Sequence, residues 1–403
     1  MSMLQMLSDA AVWEAFYAHK VAQGNMRDRE LQDLRAFIDS EEYRPLAQHI
    51  QNGGGLEPPE KLLVNKAKVG RKRVVYRFKR EENYLLKLLS HLLHAYDGIF
   101  APNLYSFRKH KGVRVAAERI LRVHRLDERF VYKLDIHDYF GSVDIEKLLP
   151  DLQRVLEKDV PLFGFLKKLL TDPHARYEDR LIEEPKGIMA GVPIASFLAN
   201  LYLRELDEQF RQEQIPYMRY SDDILVLAST REQLEDSIAR IKAVLAEKGL
   251  TVNPEKEAVA LPHQEWTFLG FSYHEGTVDI SEVSYEKLKA KMRRKTRALA
   301  RWADKKQLPR IYAARAFIKR FNAKLYDNPT SGELTWTRWF FPIINTDKTL
   351  RRIDAYMLDC IRYLATDKRN KGRFALSYDE IKALGYRSLV HAYYESREER
   401  EGG

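Results

Sequence analysis

The sequence predicts an α+β fold, and three observations carry that expectation. Helix-type and strand-type hydrophobic periods alternate through the first two thirds of the chain, no internal repeat organises them, and the pattern after about residue 283 is almost wholly helical. Residues 1 to about 50 space Trp13, Phe16, Tyr17, Leu31, Leu34, Phe37 and Ile38 as helix faces until Gly53-Gly54-Gly55 interrupts. From Leu62 to Val75 an apolar run, a basic turn around Gly70 and Arg73-Val74-Val75-Tyr76 predict a two-stranded ribbon. Helices are expected at about 81–96 and 112–124, a buried strand over Phe130–Ile136, helices over 145–157 and 162–171, and one long helix over 194–211. Over 231–248, Leu234, Ile238, Ile241, Val244 and Leu245 share one helix face, and Trp266–Tyr273 reads as an aromatic strand pair. Three regions follow: a helical N-terminal extension over 1–60, a mixed domain over 61–280 and a helical region over 281–403.

With 403 residues and 45% apolar content the chain can bury a substantial core. Lys plus Arg number 68 against 58 Asp plus Glu, a formal net charge of +10, which suits a polyanionic partner. The excess is clustered over Lys66–Arg80 and Lys287–Arg301, and clustering gives it meaning. A single cysteine, Cys360, excludes an intramolecular disulfide and a cysteine-based zinc site, which fits a reducing cytoplasm. No apolar stretch reaches the roughly 20 residues that span a bilayer, and the N-terminus carries polar residues where a signal peptide needs apolar ones, so a soluble, membrane-free protein is expected.

The most informative residues are Tyr220-Ser221-Asp222-Asp223. They put two carboxylates between Met218-Arg219 and the apolar run Ile224–Leu227, at the tip of an expected β-hairpin. An Asp-Asp turn is also ordinary turn chemistry, and capping of a solvated hairpin is the competing reading. Upstream, Tyr132-Lys133-Leu134-Asp135-Ile136 ends an apolar strand on a further carboxylate, where an Asp is also a common cap or turn residue. Taken together, the three acids supply what two divalent cations about 4 Å apart need to clamp an in-line phosphoryl displacement. Magnesium is the natural ion, since it takes oxygen ligands and leaves positions for substrate phosphates.

At these residues the chain resembles the bacterial reverse transcriptases, over about residues 60–280. Asp135-Ile136-His137-Asp138-Tyr139-Phe140 resembles the family's strand Asp followed by an aromatic pair. Gly187 through Leu203 resembles its glycine turn and helix ending in Leu198-Ala199-Asn200, and the YxDD hairpin follows in order. Further blocks keep their order: Gly249 through Asn253-Pro254-Glu255-Lys256, Phe268-Leu269-Gly270-Phe271, the basic Lys66 and Gly70-Arg71-Lys72-Arg73, and Tyr105-Ser106-Phe107-Arg108. The sequence departs from the family at Met189-Ala190-Gly191, where Pro-Gln-Gly is common, and at Ala195-Ser196, where Ser-Pro is usual.

The resemblance implies a right-hand polymerase with fingers, a palm whose antiparallel sheet carries the carboxylates, and an α-helical thumb. It implies that Asp135, Asp222 and Asp223, with the Ile136 carbonyl, hold two Mg2+ ions, and that deoxynucleoside triphosphates are the substrates. Lys66 and Arg73 match residues that hold the triphosphate, for which the planar Arg fork is suited; a solvated basic hairpin is the plainer alternative. Lys256 matches a proton donor to pyrophosphate, or is a surface cation. Phe140 matches an aromatic that excludes a ribose 2′-hydroxyl, or is core. Gly191 is expected where backbone approaches nucleotide or template. Arg108, Gly270 and the basic helix with Lys291, Arg294 and Lys295 are expected to contact nucleic acid, the last as the thumb's grip on an RNA–DNA duplex or as the exposed face of a bundle. On that helix Leu288, Met292, Leu299 and Trp302 form the expected buried stripe.

Within the family the chain lacks the appendages of group II intron proteins and the thumb motif of retrons, leaving the stand-alone defence-associated, abortive-infection-like enzymes. That placement implies a dedicated noncoding RNA as template, an antiphage role, a DNA product, and a homo-oligomer or accessory protein as a further partner. Two rivals stand beside it: untemplated or protein-primed DNA synthesis at the same site, and a non-catalytic RNA-binding scaffold.

Overall fold

A computed structural model describes residues 2–24, 26–65, 72–326, 335–368, 370 and 374–401. The basic turn that includes Lys66 lies outside the described residues. The strands are β1 (Glu60–Asn65), β2 (Lys72–Arg77), β3 (Phe130–Asp135), β4 (His174–Tyr177), β5 (Arg180–Glu183), β6 (Tyr217–Tyr220), β7 (Asp223–Ala228), β8 (Ala258–Ala260), β9 (Trp266–Phe268), β10 (Phe271–His274) and β11 (Thr277–Ile280). They form three sheets with orders β2-β1-β4-β5, β6-β7-β3-β8 and β11-β10-β9. Among the described residues no helix is long and apolar enough to cross a membrane.

The chain divides into two compact units, 1–262 and 263–403. The helices Ala10–Gln23, Asp28–Asp39 and Tyr43–Gln51 put Trp13, Phe37, Tyr43 and Ile50 into the same apolar core as Leu134, Ile224 and Leu245. The third sheet belongs with the helices that follow it. The Phe271 and Phe340 rings meet at 5.2 Å, Thr349 donates to Asp279 at 2.8 Å, and Val278 N donates to Asn345 at 2.8 Å.

In the first unit, β3 and β7 are the inner strands of their sheet, which explains their continuous apolar runs: Val131, Tyr132 and Leu134 are buried, as is every residue from Ile224 to Ala228. The helix Arg231–Glu247 backs this sheet. Thr230 caps it by accepting from Gln233 N, and Leu234, Ile241 and Leu245 are buried as their spacing predicts. The expected helix over 194–211 is two helices, Ala195–Tyr202 and Arg204–Gln212, because Leu203 leaves helical geometry at φ −111°, ψ 16°. The β4–β5 hairpin and β8 were not anticipated.

In the second unit the helices Glu282–Lys305, Arg310–Leu325 and Lys348–Thr366 pack together. Leu288, Met292 and Leu299 are buried as expected. Trp302 is not: at 41% exposure it faces solvent, and Tyr285 and Thr296 complete the inner stripe.

Candidate active site

The three carboxylates meet because of strand register. In the antiparallel ladder Asp135 pairs with Asp223, the last and first residues of β3 and β7, and Ile136 N donates to Asp222 O at 3.0 Å. A turn through Ser221, at φ +61°, links β6 to β7 and lifts Asp222 beside them. One carboxylate oxygen from each residue lies within 4.8 Å of the others, with Asp135 buried and the other two half-buried.

Such crowding is unfavourable to three negative charges in a partly dry setting. Burial first, and then the charge of Asp135, raises the Asp222 carboxyl above its ordinary range. Burial and the charges of Asp222 and Asp135 push Asp223 up to about 7. Asp135 has direct compensation: Lys256 Nζ pairs with its Oδ2, and Asn253 Nδ2 donates to its Oδ1 at 3.1 Å. The charges of Lys256 and Arg73 act on Asp222, and those of Lys256 and Lys133 on Asp223. Burial pulls the Lys256 ammonium down, but its bond to Asp135 and the charges of the three acids leave it raised overall. The Asn253-to-Lys256 segment is fixed by Asn253 N donating to Asp135 O at 2.8 Å and His137 N to Thr251 O at 2.8 Å. An oxygen-only donor set with excess negative charge fits hard divalent cations.

Behind the hairpin lies a second polar cluster that sequence reasoning missed. Arg219, fully buried on β6, pairs with Asp207 through one guanidinium edge, Nε to Oδ1 at 2.8 Å and Nη2 to Oδ2, and its Nη2 also donates to Asn200 O at 3.0 Å. Tyr217 OH donates to the same carboxylate at 2.9 Å. Burial alone would lower the Arg219 pKa; Asp207 holds it above the ordinary value. Ser106 accepts from Ser221 N at 2.8 Å through Oγ, and Asn200 Nδ2 donates to Ser106 O at 3.0 Å. These bonds hold the left-handed turn from below. An Arg beside a charged tip reads as exposed, and nothing in its neighbours marks it otherwise; Asn200 and Ser106 stood in recognised blocks but with no role.

The other expected residues are distributed as follows. Phe140 is half-buried and edge-on to Tyr139, with Arg73 over its ring at 6.0 Å; the charge of Arg73 acts on Asp222. Gly191 lies at φ +97°, in the left-handed region, with β2 close against it. A Cβ there would lie 3.1 Å from Tyr76 O and 3.3 Å from Val75 Cβ, so β2 occupies that space. The Arg108 guanidinium donates to Ala101 O at 2.7 Å and Asp97 O at 2.9 Å, bonds that brace the loop it lies in. Gly270, at φ +91°, turns β9 into β10, and its carbonyl accepts from Ser281 N at 2.9 Å. In the second unit, Lys291 and Arg294 are exposed and Lys295 half-buried on the Glu282–Lys305 helix. Those three ammonium and guanidinium groups make no ion pair among the described residues.

Comparison with known proteins agrees with this geometry. A family model described as Reverse transcriptase (RNA-dependent DNA polymerase) matches residues 64–273, more than half of the chain. The Retrovirus-related Pol polyprotein from type-1 retrotransposable element R2 of Nasonia vitripennis is 31% identical over 142 residues, covering 32% of this chain; the chain spans only 14% of that relative. Among solved structures, apo telomerase from Candida tropicalis gives a TM-score of 0.50 at 13% identity, covering 82% of this chain and 60% of that one. Telomerase from Candida albicans with a fragment of telomeric RNA gives 0.45 at 13% identity, covering 84% and 65%. At such identity the Candida tropicalis likeness speaks to fold alone.

Proposed function

We propose that this chain, which belongs to the reverse transcriptase family, extends a DNA primer on an RNA template at the Asp135, Asp222 and Asp223 cluster. The observation that carries the reading is the convergence of three carboxylates from adjacent strands, one oxygen of each within 4.8 Å of the others. Two Mg2+ ions bound there would activate the primer 3′-oxygen and neutralise the departing pyrophosphate. Asp135, Asp222 and Asp223, with the Ile136 carbonyl, would hold these ions. Lys256, beside Asp135, would give a proton to the leaving group. Arg73, with Lys66 by its place in the sequence, holds the triphosphate. Phe140, braced by Tyr139, sits under the sugar and excludes a 2′-hydroxyl.

By this reading β6-β7-β3-β8 is the palm sheet, β1 and β2 the fingers ribbon, and Lys291, Arg294 and Lys295 the thumb's contacts to duplex phosphates. Within the family, the resemblance to stand-alone bacterial enzymes, reached by setting aside the group II intron and retron types, is what supports an antiphage role and a dedicated noncoding RNA as template.

Primer extension on a supplied RNA with deoxynucleotides and Mg2+ tests the reading. Asp222→Asn should cost on the order of 10⁴-fold in rate, and Phe140→Ala should admit ribonucleotides while keeping extension. Unchanged extension by Asp222→Asn refutes the site. A product lost in Asp222→Asn yet matching no supplied RNA assigns untemplated or protein-primed synthesis to the same residues.

A further inference from the structure

On the far side of β6 from the carboxylates lies an open cavity of about 680 Å3, walled by the helix Val113–Leu121, the loop after it and the segment leading into β6. Its volume falls within the roughly 300–1,000 Å3 of pockets that take a nucleotide-sized ligand. Five Lys and Arg side chains line it against one carboxylate, Glu118, which is already paired with Arg114. Arg119 and Arg122, one turn apart, make no hydrogen bond, ion pair or ring contact through their guanidinium groups among the described residues. Lys111 lies over the Tyr105 ring at 5.1 Å and donates only to Pro102 O, at 3.2 Å. Burial, and then repulsion by Arg108 and Arg119, lowers its pKa, the response of a cation short of a counter-charge.

These features differ from an ordinary solvated face. Arginines on a flat surface are screened by water and salt, whereas cations gathered in a concavity focus their field on whatever enters. Planar guanidinium forks are matched to phosphate oxygens, and Val115, Val123 and Ile215 give the same cavity an apolar wall against which a base can lie.

We propose that this cavity binds the phosphodiester backbone of single-stranded RNA, with Arg119 and Arg122 as the phosphate ligands and Lys111 beside them. The proposal deepens the polymerase reading by assigning RNA a second point of attachment. Its floor includes Tyr217 and Met218 of β6, the strand that leads into Ser221 and Asp222, so RNA held there is anchored to the element that carries the site.

The test is fluorescence anisotropy of the whole chain with a labelled single-stranded RNA across a salt series, with melting curves to establish folding. The Arg119→Glu/Arg122→Glu variant should bind at least about tenfold more weakly, with a log K against log[salt] slope shallower by roughly 1.4, since each single-strand phosphate contact contributes about 0.7. Arg119→Lys/Arg122→Lys should retain most of the affinity and the slope. Arg231→Ala, which removes an exposed charge from the Arg231–Glu247 helix, should change neither. Parental affinity and slope in the Glu variant, or an equal loss in Arg231→Ala, overturns the proposal. Loss of labelled GTP binding with RNA binding intact overturns it in favour of a free nucleotide. Extension on saturating RNA is scored separately: if the parent binds RNA through Arg119 and Arg122 but shows no carboxylate-dependent extension, the polymerase reading fails and this one stands.

Discussion

Two buried clusters of charge lie within a few residues of each other on β6 and β7, and they are built on opposite rules. Around Arg219 every charge has its complement: Asp207 is met by a guanidinium and by Tyr217, and the guanidinium's remaining donor finds Asn200 O. Around Asp222 and Asp223 like charges are crowded together, and although Lys256 pairs with Asp135 and nearby cations act on all three acids, burial and mutual repulsion still leave Asp222 and Asp223 raised. A satisfied cluster is complete in the folded chain and serves structure. An unsatisfied one, held rigidly at a thermodynamic cost, is complete only with something the chain does not supply. The two are coupled through Ser221, whose turn the first cluster supports and whose neighbour Asp222 belongs to the second.

The comparison can be broken most severely at Arg219. Arg219→Met leaves Asp207 buried without its cation and should destabilise the chain by about 3–5 kcal/mol, read as a lower denaturation midpoint. Arg219→Met with Asp207→Leu should recover most of that loss, because removing both charges removes the orphan. Failure of the double variant to recover would mean that the pair is needed for more than mutual neutralisation.

The second cluster should respond in the opposite sense to its missing complement. MgCl2 at 100 times its dissociation constant should stabilise the folded chain by about 2.7 kcal/mol, read as a higher melting temperature than in EDTA, and Asp222→Asn should abolish most of that rise. A rise of the same size in Asp222→Asn would place the ion elsewhere.

The smallest effect sharpens the contrast within one residue. In ion-free buffer Asp223→Asn should stabilise by about 1 kcal/mol, a gain of roughly 2–4 °C in melting temperature, where truncating Asp207 destabilises. The pH dependence follows from the raised folded-state pKa of about 7. The folded chain holds a proton that the unfolded carboxylate gives up near pH 4, so folding is most favoured at low pH and loses stability as pH rises towards and through 7. The advantage of Asp223→Asn is therefore greatest at pH 8 and fades towards pH 4. An advantage independent of pH would contradict the charge-crowding explanation.

What the sequence made legible was what is local. The Asp222-Asp223 tip stands between apolar runs, Asp135 ends one, and the Leu234–Leu245 face repeats at helical spacing, so each announces its own environment. The hidden features depend on partners distant in the chain. Asp207 sits between Glu205 and Glu208 on a polar helix and reads as a surface acid; only Arg219 makes it core. Arg108 sits in a basic stretch, and nothing local signals that its guanidinium donates to the carbonyls of Ala101 and Asp97. At Gly191 the close neighbours of a Cβ, Tyr76 O and Val75 Cβ, come from β2, more than a hundred residues earlier in the chain. The helix break at Leu203 has no Gly or Pro to signal it, β8 has only three residues, and the β4–β5 hairpin has too little apolar alternation to separate from loop.

The ladder that pairs Asp135 with Asp223 has a consequence for how this chain tolerates change in length. Because the carboxylates are brought together by strand register, the exposed loops between β3 and β6 do not set the spacing of the acids, whereas Ile136, Asn200 and Asp207, which bond Asp222 or support its turn, belong to the site's frame. Loops in that interval, such as the turn joining β4 to β5, can gain or lose residues with the site intact. A single residue inserted within β3 or β7 would send the following side chains to the opposite face and scatter the three acids. Reading-frame-preserving insertions should thus divide sharply, harmless in one stretch and fatal a few positions away, along a line drawn by hydrogen bonds rather than by distance from the chemistry.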